Sequence, residues 1–376
     1  MIVRTDKEAL FWLIDELLVR WRSSPKAFPF NHPDAIIPQT IIPEYLRKNK
    51  EQLAAWYIAV CNQMKGRVTS MEAFRGNLRI YDKYPWFFNP REVIKYYSPK
   101  DLVDVYAEFL PIDKENNARG LLWNYRLLDV HYDGNALNLV KRITSYDEAE
   151  RRLRNKRTVR ERVAAGSAGE GMFGFQHKMV SMLVYFYDWE RWFKKRFPYP
   201  SPADIHNFRI GLSSGSLIVE NATDETIKDY EGISAPWRAA VMEYIIERKE
   251  DPVDVADVLW LFSNVMCGNS PMTHTAANEN PNSSGMFEED ELPRHNGIKQ
   301  FLHANYRRDI EQTCLNCFLL DRCDYAIPAR PYYTKGMIVL RKRPKVEGHI
   351  DLSMIREPTY AALLEAHPPL PLEHSK

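Results

Sequence analysis

The chain has 376 residues, the size of two domains or of one domain with large insertions. Hydrophobic residues make up 45% of the chain, and its formal net charge is only +1. The chain as a whole is therefore not a polycation, and binding to nucleic acid would require a local basic patch. No apolar run reaches ~18 residues, and the segment Met1–Glu8 lacks a signal-peptide pattern. We therefore expect no membrane partner and an intracellular location, in the cytoplasm or at the nucleoid, or in the host cell if the protein is viral.

Apolar residues recur at helical spacing through most of the sequence and strand-like runs are rare, so we predict a mainly α fold. The predicted helices are Lys7–Trp21, Lys50–Met64, Pro99–Leu110, Asn117–Tyr132, Thr144–Ala165, Phe173–Phe197, Pro202–Ser213, Ala235–Lys249 and Pro252–Val265. The strongest strand pattern is Lys335–Arg341. The polar segment Met272–Asn296 is predicted to be a loop or insertion.

These patterns divide the chain into four predicted regions. Residues 1–49 hold the first helix and a Pro-rich connection, and residues 50–266 hold a helical core. Residues 267–325 carry clustered cysteines and the polar insertion. Residues 326–376 are Pro-rich and are predicted to be a loosely structured extension.

Four of the five cysteines form the clearest chemical pattern. Cys314, Cys317 and Cys323 are separated by two and by five residues, and Cys267 lies upstream. Thiolates on short loops can converge on one metal centre, and in a reducing compartment clustered cysteines bind metal more often than they form disulfides. Soft sulfur ligands select zinc or an iron–sulfur cluster. The alternative is a set of unrelated buried cysteines, and it applies most to Cys267, which is distant in sequence.

Two segments carry candidate catalytic side chains. Lys178 follows Gly174 at the start of an apolar predicted helix, and Asp204 begins an Asp-x-His segment that ends at His206. Each also has an ordinary structural explanation. A glycine before a helix is a common turn, a lysine there can be a solvated side chain, and an aspartate at a helix start usually supports that terminus.

The order of these motifs resembles the helix-hairpin-helix (HhH-GPD) DNA glycosylase superfamily, in particular its iron–sulfur branch, which includes endonuclease III. That family has a Gly-x-Gly-x-Lys hairpin end, a Val-Asp-x-His segment and four cysteines that close the core. Gly174 matches the first glycine, Lys178 the lysine and Asp204 the aspartate, and the last three cysteines match in both spacings. The pair Asn62-Gln63 stands where the family has Ser/Ala-Gln. The resemblance covers residues 50–325 approximately.

The resemblance implies a two-lobed helical fold with a metal-cluster loop, and a monomer whose partner is DNA. The implied cofactor is a [4Fe–4S] cluster, with zinc as the alternative, and its implied ligands are Cys267, Cys314, Cys317 and Cys323. The implied catalytic residues are Asp204 and Lys178. The implied DNA-binding residues are Gln63, Gly174, Gln176, His177 and His206. Gln63 would fill the gap that a flipped base leaves, although a surface glutamine on a helix is an equal alternative.

Three departures from the family favour a divergent member. Gln176 replaces the second hairpin glycine, at a position where glycine lets backbone amides approach a DNA phosphate closely. The segment between Lys178 and Asp204 is longer than the resemblance implies. A long insertion also separates Cys267 from Cys314.

A basic run at residues 151–162 is a candidate phosphate-binding segment, with Arg154 and Arg157 near its centre. Acidic residues are interspersed in and around the run, so a solvated helix face is an equal explanation. Residues 341–345 form a second basic candidate with the same alternative.

We therefore predict a DNA-base-processing enzyme, a glycosylase with AP lyase activity if Lys178 attacks the sugar. A carboxylate at Asp204 would stabilise the positive charge that develops on the sugar. The first alternative is a DNA base hypermodification transferase, since some bacteriophage thymine-hypermodification enzymes resemble this superfamily. The second alternative is a non-catalytic DNA-binding protein, which retention of both Asp204 and Lys178 argues against.

Overall fold

A computed structural model of the chain describes residues 2–33, 35–64, 68–110, 113–155, 171–220, 226–227, 230–267, 317–319, 331–334 and 337–340. The described residues are mainly helical, which confirms the predicted mainly α class. Their α-helices are Lys7–Arg22, Glu44–Lys48, Lys50–Gln63, Ser70–Lys83, Pro90–Tyr96, Pro99–Phe109, Lys114–Tyr132, Ala136–Arg142, Tyr146–Leu153, His177–Trp189, Ile205–Ser213, Tyr230–Arg248 and Pro252–Phe262. Within these ranges, no helix combines the length and the apolar character needed to span a bilayer.

The chain forms two compact units that interleave in sequence. Unit 1 contains the described residues of 1–35, 203–250 and 254–376, and unit 2 contains those of 36–202 and 251–253. The division therefore departs from the four predicted regions, because it separates the predicted core 50–266 after residue 202. Hydrophobic periodicity reports which face of a helix is buried but carries no information on its distant partner.

Unit 1 is built around the first helix, whose apolar stripe is buried. Asp6 caps the helix by accepting a hydrogen bond from the Ala9 amide at 3.0 Å. Phe11 packs edge-to-face on Tyr244 with ring centroids 5.0 Å apart, and the Tyr244 hydroxyl donates to Asp15 at 2.6 Å. These contacts join the first helix to Tyr230–Arg248, more than two hundred positions along the chain.

Two small antiparallel sheets also belong to unit 1. Ile2–Thr5 pairs with Leu217–Glu220, with Ile2 opposite Glu220. In the second sheet, Met337–Leu340 lies between Thr226–Ile227 and Pro331–Thr334. The predicted strand at Lys335–Arg341 is thus confirmed over its described residues. Its partner Pro331–Thr334 lies in the predicted extension 326–376 and was not predicted as a strand, since backbone pairing stabilises short segments that lack helical periodicity.

Unit 2 is built around helix Lys50–Gln63, which is buried on every side from Leu53 to its end. An aromatic cluster surrounds it. Tyr57 stacks on Phe186 with ring centroids 4.8 Å apart, and Trp56 meets Phe74 edge-to-face at 4.9 Å. A helix that is apolar all round must be covered on all faces, and neighbouring helices provide that cover.

The single long helix predicted at Phe173–Phe197 is wrong. The helix runs only from His177 to Trp189, because a turn precedes it and Arg191 has a left-handed φ of 57° after it. Arg196 then folds back, so that its guanidinium bonds both carboxylate oxygens of buried Asp188 at 2.8 and 2.7 Å. The helix predicted at Thr144–Ala165 likewise ends at Leu153 within the described residues.

Candidate functional site

A backbone-paired turn precedes the helix that carries Lys178. We call Gly171–Gln176 the hairpin turn and His177–Trp189 the lysine helix. The Phe175 amide donates to the Met172 carbonyl at 3.2 Å and closes a four-residue turn, in which Gly174 is third, with φ +77°. A positive φ at this position is typical of a type II turn and selects glycine, because a Cβ is strained there.

The helix Tyr146–Leu153 precedes the hairpin turn in the chain, and the residues at its C-terminal end pair with the turn. The Met172 amide donates to the Leu153 carbonyl at 2.9 Å, and the Asn155 amide donates to the Phe175 carbonyl at 2.8 Å. The turn between the two helices therefore pairs through its backbone with residues 153–155. Residues 156–170, which include Arg157, lie outside the described residues.

A buried asparagine from another helix fixes the hairpin turn. Asn124 lies in Lys114–Tyr132, and its side-chain oxygen accepts a hydrogen bond from the Phe173 amide at 2.6 Å. Its side-chain nitrogen lies 3.4 Å from the Phe173 carbonyl oxygen. One amide side chain thereby binds both polar groups of a single turn residue. Asn124 was not among the residues predicted from the sequence, where its only signal is a polar residue among the apolar positions of a predicted helix.

Gln176 occupies the N-cap position of the lysine helix, but its side chain makes no capping hydrogen bond. It donates instead to the Asn155 carbonyl at 3.0 Å and is otherwise exposed. Lys178 is the second residue of the helix and is half-buried. The structure thus places Gly174, Gln176 and Lys178 together at one helix N-terminus, where the helix dipole and the first amides favour an anion.

His177 and Arg154 both pair with Glu150. The His177 Nδ1 atom is in hydrogen-bond contact with the Glu150 carboxylate, and Arg154 Nη1 lies 3.7 Å from it. Burial alone would raise the pKa of Glu150, but the His177 and Tyr146 hydrogen bonds and the nearby positive charges lower it overall. Arg151 and Arg152 pair with Glu148 in the same helix. The described part of the basic run is therefore largely paired with carboxylates of its own helix.

Asp204 begins the helix Ile205–Ser213, which we call the aspartate helix. Its Oδ1 atom accepts hydrogen bonds from the amides of His206 at 2.9 Å and Asn207 at 3.4 Å, and the side chain is only 8% exposed. Asp204 thus caps this helix, as the structural explanation from sequence anticipated. The His206 ring lies 6.0 Å from that of Trp260.

Lys178 belongs to unit 2, and Asp204 and His206 belong to unit 1. Gln63 is placed in the core of unit 2, where it is 2% exposed. Its side-chain amide pairs reciprocally with that of Asn77, at 2.9 and 2.5 Å. In this arrangement Gln63 is not positioned to enter a DNA duplex, and the surface alternative fails as well. Periodicity could not show this, because a polar residue at a helix end is equally compatible with core and surface.

The candidate metal ligands are only partly within the described residues. Cys314, Cys323 and the side chain of Cys267 lie outside them. The Cys317 sulfur accepts a hydrogen bond from the Leu319 amide at 3.4 Å. Phe318, the next residue, packs edge-to-face on Phe262 at 5.3 Å, five positions before Cys267.

The loop that contains Cys317 is anchored on unit 1. Phe318 also lies 6.2 Å from the Trp12 ring, and the Arg20 guanidinium stacks over it at 4.3 Å. The aspartate helix packs against Ser263–Cys267 in the same unit. The segment that ends at Cys267 therefore lies next to the aspartate helix, and the Cys317 loop contacts the helix that leads to this segment. No protein-family model matches this sequence, and no curated protein matches it.

Proposed function

We propose that this protein processes DNA bases with a site of the helix-hairpin-helix glycosylase type. One observation carries the proposal: a glycine with a positive φ closes a backbone-paired turn between two helices, and Lys178 follows in the first turn of the second helix. Asp204 supports it as a buried, capping carboxylate at the start of the next helix in the chain. The sequence order of these motifs was the basis of the resemblance, and their local geometry suits the roles.

In this proposal the N-terminus of the lysine helix, which the hairpin turn precedes, binds a DNA phosphate. Amides at a helix N-terminus are oriented towards an anion, and the helix dipole favours negative charge there. Gln176 takes the place of a glycine, but its side chain is held back by the Asn155 carbonyl. Phosphate contacts of this kind position DNA without reading sequence.

Asp204 would stabilise the transition state of N-glycosidic cleavage. The bond between sugar C1′ and the base nitrogen breaks, the base leaves with the electron pair and takes a proton, and positive charge develops on the sugar. A fixed carboxylate stabilises that charge and can accept a proton from the attacking nucleophile. The target base must leave the stack before this chemistry can occur.

Lys178 would act as the nucleophile in the lyase form of the reaction. Its neutral amine bonds to C1′ as the base departs, and the nitrogen loses a proton. The bond between C1′ and the ring oxygen then breaks, the ring oxygen takes up a proton, and a protonated Schiff base remains. Water takes this part in a simple glycosylase. Borohydride distinguishes the two, because it reduces a Schiff base to a stable link between protein and DNA, and Lys178→Gln should abolish that link.

We further propose that Cys267, Cys314, Cys317 and Cys323 hold a [4Fe–4S] cluster, with zinc as the alternative. The hydrogen bond from Leu319 to the Cys317 sulfur supports this proposal, because such donors stabilise a thiolate ligand. The contact of Phe318 with Phe262 supports the inclusion of Cys267. The centre would fix a loop of unit 1 and need not take part in the reaction.

The proposal is tested with DNA that carries damaged or modified bases. A glycosylase releases free base, a lyase also nicks the strand, and a base-modifying transferase adds mass while the glycosidic bond stays intact. A non-catalytic DNA-binding protein, acting as a monomer on DNA, would give none of the three. Binding without any of these products would therefore contradict the enzymatic proposal.

A further inference from the structure

Asp204 has a second layer of contacts within unit 1. The Asn207 side-chain nitrogen lies 3.4 Å from Asp204 Oδ1, and the Asn207 side-chain oxygen accepts a hydrogen bond from the Trp237 indole at 3.1 Å. Asn207 is 1% exposed and Trp237 is fully buried. A short polar relay thus connects the helix Tyr230–Arg248 to the carboxylate.

The chemistry of the indole sets the direction of this relay. An indole N–H can only donate a hydrogen bond, so the oxygen of the Asn207 amide must face Trp237. The NH₂ group of the same amide then has to face Asp204. In the flipped amide, the NH₂ group would face the Trp237 indole N–H, so two donors would meet, and the amide oxygen would face the Asp204 carboxylate, so two acceptors would meet. Both places are buried, and an unsatisfied polar group there costs about 1–3 kcal/mol.

A glycine lets Trp237 approach closely enough to make this contact. Gly211 follows Asn207 by one helical turn, and a Cβ there would lie 2.6 Å from Trp237 Cζ3 and 3.0 Å from Leu217 Cβ. Asp204, Asn207 and Gly211 have the spacing of a single helical face. That face therefore presents the carboxylate, its amide partner and a gap that the indole fills.

We propose that Asn207 is a positioning residue for Asp204, and that Trp237 fixes the polarity of the Asn207 amide. The inference rests on the proposed base-processing role of Asp204 and deepens it. An N–H donor aimed at a carboxylate favours its charged form, the form that stabilises positive charge on the sugar. The other titratable side chain described on this stretch of the aspartate helix is His206, and on the facing helix Arg238 bonds Ser234.

Two substitutions separate this role from simple packing. Trp237→Phe keeps an aromatic ring against Gly211 and removes the indole donor. Asn207→Leu replaces the amide with an apolar side chain of similar size. It provides the same test if Trp237→Phe does not fold. Trp260→Phe is the matched control, because Trp260 contacts the aspartate helix at His206 and makes no hydrogen bond to Asn207 among the described contacts.

The readout is the titration of the Asp204 carboxyl, followed by NMR in protein labelled with carbon-13 aspartate and assigned with Asp204→Asn. The midpoint should rise by about 0.5–1 pH unit in Trp237→Phe and in Asn207→Leu, and stay unchanged in Trp260→Phe. The double variant should show no more than the larger single shift, because both changes break one relay. Where turnover is measured, kcat should fall more than KM rises.

The outcomes distinguish this inference from the proposed function. An unchanged midpoint in both folded variants would overturn the positioning role, whatever the activity. A shifted midpoint in a parent protein that turns over no DNA substrate would support the relay and contradict the base-processing proposal.

Discussion

The side chain of Asn124 holds both backbone polar groups of Phe173, accepting from the N–H at 2.6 Å and lying 3.4 Å from the C=O. The two residues are 49 positions apart, and one of them lies in a turn that has no regular secondary structure of its own. Helix Lys114–Tyr132 therefore helps to fix the conformation of the hairpin turn, although this helix is not part of the hairpin.

Replacement of Asn124 by alanine should destabilise the hairpin turn. The variant loses two hydrogen bonds to a partly buried turn, so its free energy of unfolding should fall by about 1–2 kcal/mol. DNA binding should weaken as well, because the turn that leads into the N-terminus of the lysine helix loses its fixed conformation. Urea unfolding and binding titrations measure the two effects. Asn116→Ala, an exposed position of the same helix, is the control, and equal effects in both variants would count against the role of Asn124.

Gly174 should tolerate asparagine better than alanine. At φ +77° alanine is strained, so Gly174→Ala should cost about 1 kcal/mol or more of stability. Asparagine visits the left-handed region several times more often than other side chains, so Gly174→Asn should cost less. Thermal unfolding of both variants gives the comparison. Equal stability of the alanine variant and the parent would show that the turn does not need a positive φ.

The pair of Glu150 with His177 should make stability depend on pH in the acid range. The folded pKa of Glu150 lies below its unfolded value, so its stabilising contribution is complete above about pH 4.3 and is lost as pH falls through the folded pKa. Glu150→Gln should therefore be less stable than the parent at pH 7, and the gap should shrink towards pH 3. Urea unfolding across this range measures it. Glu115→Gln, at an exposed carboxylate of unit 2, should show no comparable trend.

The cysteine proposal predicts a metal centre in the purified protein. A [4Fe–4S] cluster would make the protein brown with a broad visible absorbance, whereas zinc would leave it colourless. Cys317→Ser should lower the metal content measured by elemental analysis. Cys61→Ala should retain it, because Cys61 is buried in unit 2 within helix Lys50–Gln63. Full metal content in Cys317→Ser would remove Cys317 from the ligand set.

The sequence predicted local structure well and distant relationships poorly. Helices Lys7–Arg22 and Lys50–Gln63 end within one residue of their predicted bounds, because their apolar spacing and flanking residues carry that information. The hairpin turn, which the resemblance implied at Gly174, overlaps the start of the helix predicted from Phe173, since Phe173 and Phe175 continue the apolar pattern across Gly174. Polar pairs such as Gln63 with Asn77 depend on neighbours that no periodicity reveals.

The candidate site shows the same limit. Lys178 and Asp204 could be chosen as candidate catalytic residues because the order of motifs along the chain can be read from the sequence. Asn124, which bonds the hairpin turn, and Asn207, which bonds Trp237, could not be identified, because each contact joins segments that are distant in sequence. The strands Ile2–Thr5 and Leu217–Glu220 were missed for the same reason, since each is short and is stabilised only by its partner.

The most direct test of the account is product analysis after incubation of DNA bearing damaged or modified bases with the parent protein and with Asp204→Asn. Asparagine caps a helix as well as aspartate does, so this variant keeps the local fold and loses only the charge. We predict that the parent releases free base, and that Asp204→Asn binds the same DNA with unchanged affinity but releases none. Full product release by Asp204→Asn would contradict it, because the carboxylate at the start of the aspartate helix would then have no part in the reaction.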